Sequence, residues 1–280
     1  PEVVERYRAA GRWVIQYGLL ASLRTQEYDL PAYYLSGDRE RSYDADDLVR
    51  RDLLAFAGDL WFGLRRGGLN LDVEAALVVS RIDIASLLPG TELLQRITAR
   101  QFGGVARAHY GWTRWTAGLE LGLASGDAAP GFGVRPAVDQ VTGQPGDLDG
   151  PQASIPGDTT IDNFRFNPDY RVDLILWRRI VGTVTDAFYL RPSASWRPVE
   201  ALRLDAALIA SLALEPESTP SGERPLGVEL DLGASYRLEP GFEARLSYGL
   251  LLPLSGLRNA RLDLDPAPAQ TLHVILAYRM

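Results

Sequence analysis

Apolar residues recur at every second position through most of this chain, in stretches of about a dozen residues. In residues 202–214, Leu202, Leu204, Ala206, Leu208, Ala210, Leu212 and Leu214 share one face, while Arg203, Asp205, Ala207, Ile209, Ser211 and Ala213 share the other. A period of two is the signature of a strand, whose side chains alternate between the faces of a sheet. Residues 226–238 repeat it, with Leu226, Val228, Leu230, Leu232, Ala234, Tyr236 and Leu238 opposite Gly227, Glu229, Asp231, Gly233, Ser235 and Arg237. Further stretches lie at 13–24, 54–64, 69–79, 101–112, 115–123, 186–197, 242–254 and 271–280, which makes ten in all. Pro192 weakens the 186–197 stretch, because proline has no N–H to give to a ladder.

The lengths point to a membrane. Ordinary strands have a mode near ~5–6 residues, whereas a strand tilted across a bilayer needs ~9–11. Only a closed sheet pairs every backbone group in lipid. A soluble barrel would turn its apolar face inward and carry many more charges outside. No apolar run approaches the ~20 residues of a spanning helix; Leu250–Leu254 and Ala75–Val79 are among the longest. Short links at Arg66–Gly68, Gly111–Arg114, Pro198–Ala201 and Glu239–Gly241 alternate with long ones at 25–51, 81–97, 125–185, 215–225 and 255–270. Short periplasmic turns and long outer loops are the habit of outer-membrane barrels. The expectation is a single all-β domain over 1–280: an antiparallel up-and-down barrel of about ten strands in a Gram-negative outer membrane, both termini periplasmic. An aromatic girdle at one interface agrees in parity and depth: Trp13, Phe62, Tyr110, Trp112, Trp115, Trp196, Tyr236, Phe242 and Tyr278.

Residues 125–185 interrupt the pattern as one long outer loop, rich in Gly, Pro and Asp up to residue 169. Within it, Tyr170–Gly182 carries helical spacing: Val172, Ile175, Leu176 and Arg179, with Leu174, Trp177 and Val181. A short helix over 170–182, folded into or across the barrel mouth, is expected. The alternative is another strand, which needs a second one in 129–165 and makes twelve. The run DNFRFNPDYRVDLILWRRIVGTVTDAFYLRPS resembles an uncharacterised family of outer-membrane barrels from δ-proteobacteria such as myxobacteria, distantly similar to alginate-export-type porins. The resemblance is strongest over 161–195. It implies a barrel with a passive transport role and no catalytic residues. Family members are often longer, so the ten strands as part of a larger barrel is a further alternative.

The inward positions collect both signs of charge: Asp59, Asp72, Glu74, Arg107, Glu120, Arg191, Arg203, Asp205, Glu229, Asp231, Arg237, Glu243 and Arg245. Charges confined there must pair or stay hydrated. They fit either an ion-paired plug or a narrow polar pore, with Arg171, Arg178 and Arg179 as constriction candidates. A net charge of −7 argues against a nucleic-acid surface. With no Cys and two histidines, His109 and His273, thiol chemistry is excluded and neither a metal site nor a cofactor is expected. No G-x-S-x-G or phosphate-binding glycine motif occurs, so no enzyme is expected. The acidic stretches at Asp44, Asp46 and Asp47 and at Asp147 and Asp149 match no EF-hand spacing and read as solvated loops. The expected partners are outer-membrane lipid and lipopolysaccharide. The competing reading is a structural barrel subunit that engages other envelope proteins. The sequence begins at Pro1, which suggests a processed form or a fragment.

Overall fold

The computed structural model describes residues 11–29, 48–85, 95–135, 143–154, 157–238 and 241–278. Ten strands form one sheet: β1 (Val14–Asp29), β2 (Val49–Arg66), β3 (Leu69–Ile82), β4 (Ile97–Gly111), β5 (Trp115–Ala124), β6 (Ala187–Val199), β7 (Leu202–Ala213), β8 (Pro225–Leu238), β9 (Phe242–Pro253) and β10 (Ala269–Tyr278). Their order in the sheet is their order in the chain, and every neighbouring pair is antiparallel. This is the up-and-down all-β arrangement that the alternation implies. Residues 125–186 add no strand to the sheet among the described residues, only isolated bridges such as Arg165↔Thr185, so the twelve-strand alternative falls away.

The turns between β2 and β3 and between β8 and β9 need glycine. Gly67 has φ +51° and Gly241 φ +94°, in the left-handed region that side chains disfavour. Gly68 is required for a different reason, since a Cβ there would sit 2.3 Å from the Gly111 carbonyl oxygen. The ladder of β1 and β2 runs further outward than the apolar alternation does, to Tyr28↔Arg50 and Asp29↔Val49. Backbone pairing does not depend on apolar side chains, and charged pairs such as Arg51–Asp29 at 3.9 Å carry it past the apolar band.

Two departures have local causes. The β6–β7 register holds across Pro192, from Leu190↔Ala210 to Ser193↔Ala207, but Arg191 and Pro192 themselves have no partner on β7. The missing proline N–H leaves a gap and does not break the strand. Leu226, expected on the outward face with Val228 and Leu230, is instead fully buried. The β7–β8 register slips by one between Ser211↔Gly227 and Leu212↔Pro225, and this bulge removes Leu226 from the parity of its strand.

The two faces of the sheet have opposite characters. One is covered over β4–β9 by the segment from residue 157 to Asp186, which we call the insert. The other is bare and apolar: Leu19 is 78% exposed, Leu208 45% and Val274 63%. The buried core lies between insert and sheet, where Phe166, Val172, Ile175, Leu176, Trp177 and Val181 meet Tyr189, Ala207, Ile209, Ala213 and Leu251.

Candidate functional site: the insert on the inner wall

The expected helix over 170–182 is a single π-helical turn, Leu176–Val181, closed by Gly182 at φ +94°. Its wide winding shows in the bond from the Ile180 N–H to the Ile175 carbonyl, 3.1 Å. A turn this short cannot hold itself, so the wall and its own flank hold it. Glu229 of β8, 1% exposed, accepts three successive insert amides: Leu174 N–H at 3.0 Å and Ile175 N–H at 2.8 Å on Oε1, and Leu176 N–H at 3.0 Å on Oε2. Asp173 accepts the next two, from Trp177 at 3.0 Å and Arg178 at 3.2 Å. Trp177 Nε1 donates to Ser211 Oγ of β7 at 3.1 Å. Five orphan amides at the head of the turn are thereby paired by carboxylates, the stronger kind of acceptor.

Small residues in the wall make room for Phe164 of the insert and for Tyr189 of β6. A Cβ on Gly103 would sit 2.2 Å from the Phe164 ring, and one on Gly122 would sit 2.0 Å from the Tyr189 ring. Phe164, Phe166 and Tyr170 then run edge to face, with centroids 5.9 and 5.6 Å apart, and the Arg107 guanidinium lies 5.8 Å from the Tyr170 ring centre. Tyr189 donates its hydroxyl to Glu120 at 2.7 Å, and Arg191 stands 3.7 Å from the same carboxylate.

Two carboxylates anchor the base of the insert at the long-loop end. Asp186, at φ +46°, accepts the N–H groups of Leu214 and Glu215 at 3.2 and 2.8 Å and the Ser218 hydroxyl, tying the insert to the β7–β8 loop. Burial lifts its carboxyl to about 7, against the pull of those donors. Gly126 lies directly beneath, where a Cβ would meet Asp186 Oδ1 at 1.8 Å. Asp127 accepts from Asp162 N–H at 2.7 Å and Ala129 N–H at 3.3 Å, and burial pushes its carboxyl up as well.

Below the insert lies a cavity of about 440 Å³, lined by His109, Arg171, Asp173, Arg178, Arg191, Asp205 and Asp231, among others. It shares Arg203, Asp205, Gly233 and Ser247 with a second cavity of about 480 Å³ at the short-turn end, where Arg197, Glu200, Arg237, Glu243 and Arg245 gather. A polar path therefore runs along the inner wall from the short-turn end up to the insert. Ion pairs line it: Arg203–Asp205 at 2.8 Å and Arg245–Glu243 at 2.6 Å, with Arg237 Nη2 3.4 Å from the same Glu243 oxygen. On the opposite flank of the insert, Asp59 and Glu74 line a smaller cavity of about 150 Å³ beside Phe164 and Tyr170, while Asp72 pairs with Arg65 at 2.5 Å. Of the three arginines grouped by the sequence, Arg171 and Arg178 line the cavity below the insert; Arg179 is exposed and lines neither.

On the bare face, Trp115 of β5 stacks on Trp196 of β6 at 5.3 Å and 10°. Tyr110 meets Trp112 edge to face at 4.7 Å, and Arg66 covers Trp13 at 4.8 Å. Trp13, Trp112, Trp115, Trp196, Tyr236 and Tyr278 are exposed there, with Phe62 and Phe242 half-buried beside them. His109 lines the cavity from β4, and His273 is on β10, paired with Ser247. Among the described residues no group of three His, Asp or Glu side chains is arranged to hold a metal ion. Asp147 accepts the Gln144 N–H at 2.8 Å; Asp44, Asp46 and Asp47 fall outside the described residues.

The sequence reading missed the docking patch. Tyr189, Ile209 and Leu251 sit at inward positions yet are apolar and buried. That break in parity, confined to the outer halves of β6, β7 and β9, was the available signal. No protein-family model matches this sequence, and no curated protein matches it.

Proposed function

We propose that the protein is an outer-membrane β-barrel wall with an inward-folded insert, acting as a narrow, porin-like passive channel for small polar solutes. The observation that carries this reading is the inversion of the two faces. Leu208 is 45% exposed while its neighbour Ile209 is 1% exposed, and rows of exposed Leu, Val and Phe run across all ten strands on the side away from the insert. A soluble protein rarely leaves so broad an apolar surface open to water. Lipid removes that cost, and aromatic side chains near the short turns suit a headgroup boundary. The polar path beneath the insert, with charges of both signs, is the natural route for a hydrated solute, and Arg171 and Arg178 line it.

The test is planar-bilayer conductance of the chain and of a variant in which residues 171–181 are replaced by a glycine linker. The deletion should raise unit conductance severalfold. Arg171→Glu with Arg178→Glu should shift selectivity toward cations. If the deletion leaves conductance unchanged, the insert is no constriction. If the unaltered chain inserts and never conducts, the scaffold reading replaces the channel.

A further inference from the structure

The cavity below the insert holds more hydrogen-bond donors than the protein uses. Arg171 and Arg178 both line it, and both also line a narrow space beside Trp177, so the two guanidinium groups are neighbours. Arg171 and Arg179 act on Arg178 as like charges. The ion pairs along the path are made by Arg191, Arg203, Arg237 and Arg245; among the described residues Arg171 and Arg178 take part in none. Each guanidinium brings five N–H donors and no acceptor. Arg191, on the same cavity, adds a buried Nε with no hydrogen-bond partner among the described residues. The acceptors, by contrast, are largely spent. Asp173 takes the Trp177 and Arg178 amides, Glu229 takes three more, and Asp205 takes the Arg203 guanidinium and the Ser195 hydroxyl. Asp231 keeps one oxygen without a donor, but that oxygen is buried between Gly249 and the insert: a Cβ on Gly249 would sit 3.0 Å from it and 3.1 Å from Leu174 Cβ. Arg191 acts on Asp231 as a countercharge.

We propose that this cavity is a binding site for a small oxyanion, a solute carrying a phosphate or carboxylate group, held by Arg171 and Arg178 of the insert. The proposal rests on the channel reading above for the solute's route and names the class of solute that the channel carries. Two cations side by side with no counter-ion repel each other, and an anion shared between them turns that repulsion into attraction. The planar guanidinium fork matches two oxygens of one phosphate or carboxylate, a fit that a neutral solute cannot make and a cation opposes. His109, Thr116 and Ser193 line the same cavity with groups able to donate to further oxygens. The site is also built in advance. Asp173 lies between the two arginines in sequence and takes the Arg178 amide at 3.2 Å, while Glu229 fixes the stretch from Leu174 to Leu176 on the wall. The arginines therefore need no rearranged backbone to meet the ligand. Arg179, the next residue, is exposed and lines neither cavity, so it carries the same charge outside the site.

The experiment titrates inorganic phosphate, and separately succinate, into the full chain refolded in an uncharged detergent, by isothermal titration calorimetry at fixed chloride. The expected result is saturable binding of one oxyanion per chain. Arg171→Gln and Arg178→Gln should each weaken it about tenfold or more, the scale of a lost hydrogen bond between charged groups. Arg178→Lys keeps the charge without the fork and should fall between. Arg179→Gln should leave binding unchanged. Circular dichroism checks that each variant is folded, and if one glutamine variant is not, the other carries the test. Saturation by phosphate alone or by succinate alone supports the site and fixes which group it takes. No saturable binding of either oxyanion overturns the proposal. So does binding that survives in both glutamine variants, or an equal loss in Arg179→Gln, which would make the effect one of general charge. Planar-bilayer current in the same salts reads the channel separately. Binding without current defeats the channel reading and leaves the site standing, whereas current without binding defeats this proposal alone.

Discussion

Glu229→Ala should release the insert from the wall. In the folded chain this carboxylate accepts three consecutive amides, Leu174, Ile175 and Leu176, within 3.0 Å. A hydrogen bond to a charged group contributes ~1.5–3 kcal/mol. Leu174 lines the cavity below the insert, while Ile175 and Leu176 are buried; allowing for water that can enter the space left by truncation, ~1 kcal/mol each gives ~3 kcal/mol in total. At about 1.4 kcal/mol per decade, that raises the undocked population ~100-fold. An arginine-specific protease reads this population directly, because cleavage after Arg171 and Arg178 needs the segment to open, and when closing is fast the rate follows the open fraction. Glu229→Gln keeps one carbonyl oxygen for two of the amides but sets an amide donor against the third, so its effect should fall between the two, at ~10-fold. Glu200→Ala, at the far end of the path, serves as the control and should change nothing. Cleavage of Glu229→Ala at the unaltered rate would falsify the idea that this carboxylate holds the insert.

Gly122→Ala should cost ~1–3 kcal/mol by overpacking the buried Tyr189 ring, measured as a lower urea midpoint with an unchanged slope. Asp186 gives a pH signature: its carboxyl is held near 7 in the folded protein and titrates near ~4 when unfolded. The folded state thus binds the extra proton between those values, so stability should fall as pH rises from ~4 to ~7 and then level off. Asp186→Asn should flatten that slope in urea unfolding across the same range; a slope of equal size in the variant would move its origin elsewhere. Leu208→Arg, on the bare face, should lower the stability of the lipid-refolded protein by ~2–4 kcal/mol. Refolding into vesicles as stable as that of the unaltered chain would show that this face does not meet lipid.

What the sequence determined by itself is the sheet. Alternation is a local property: each strand writes its two faces into its own residues, and the Gly-bearing turns mark where the chain reverses. Strand number, direction and the inward side of Asp59, Glu120, Arg203 and Glu243 therefore follow without knowing any long-range contact. Even the helical turn in the insert showed as a change of period. What only the tertiary structure decided is where that insert goes and what holds it. Glu229 and Leu174 are 55 residues apart in sequence, and no local pattern links a wall carboxylate to the amides of a distant loop. Ile209 and Leu251 broke parity in the sequence with no visible reason; their reason is the buried core they share with residues of the insert such as Leu176 and Trp177. Arg178 and Arg179 are adjacent and alike, yet the winding of one π-helical turn sends the first to the cavity and leaves the second outside.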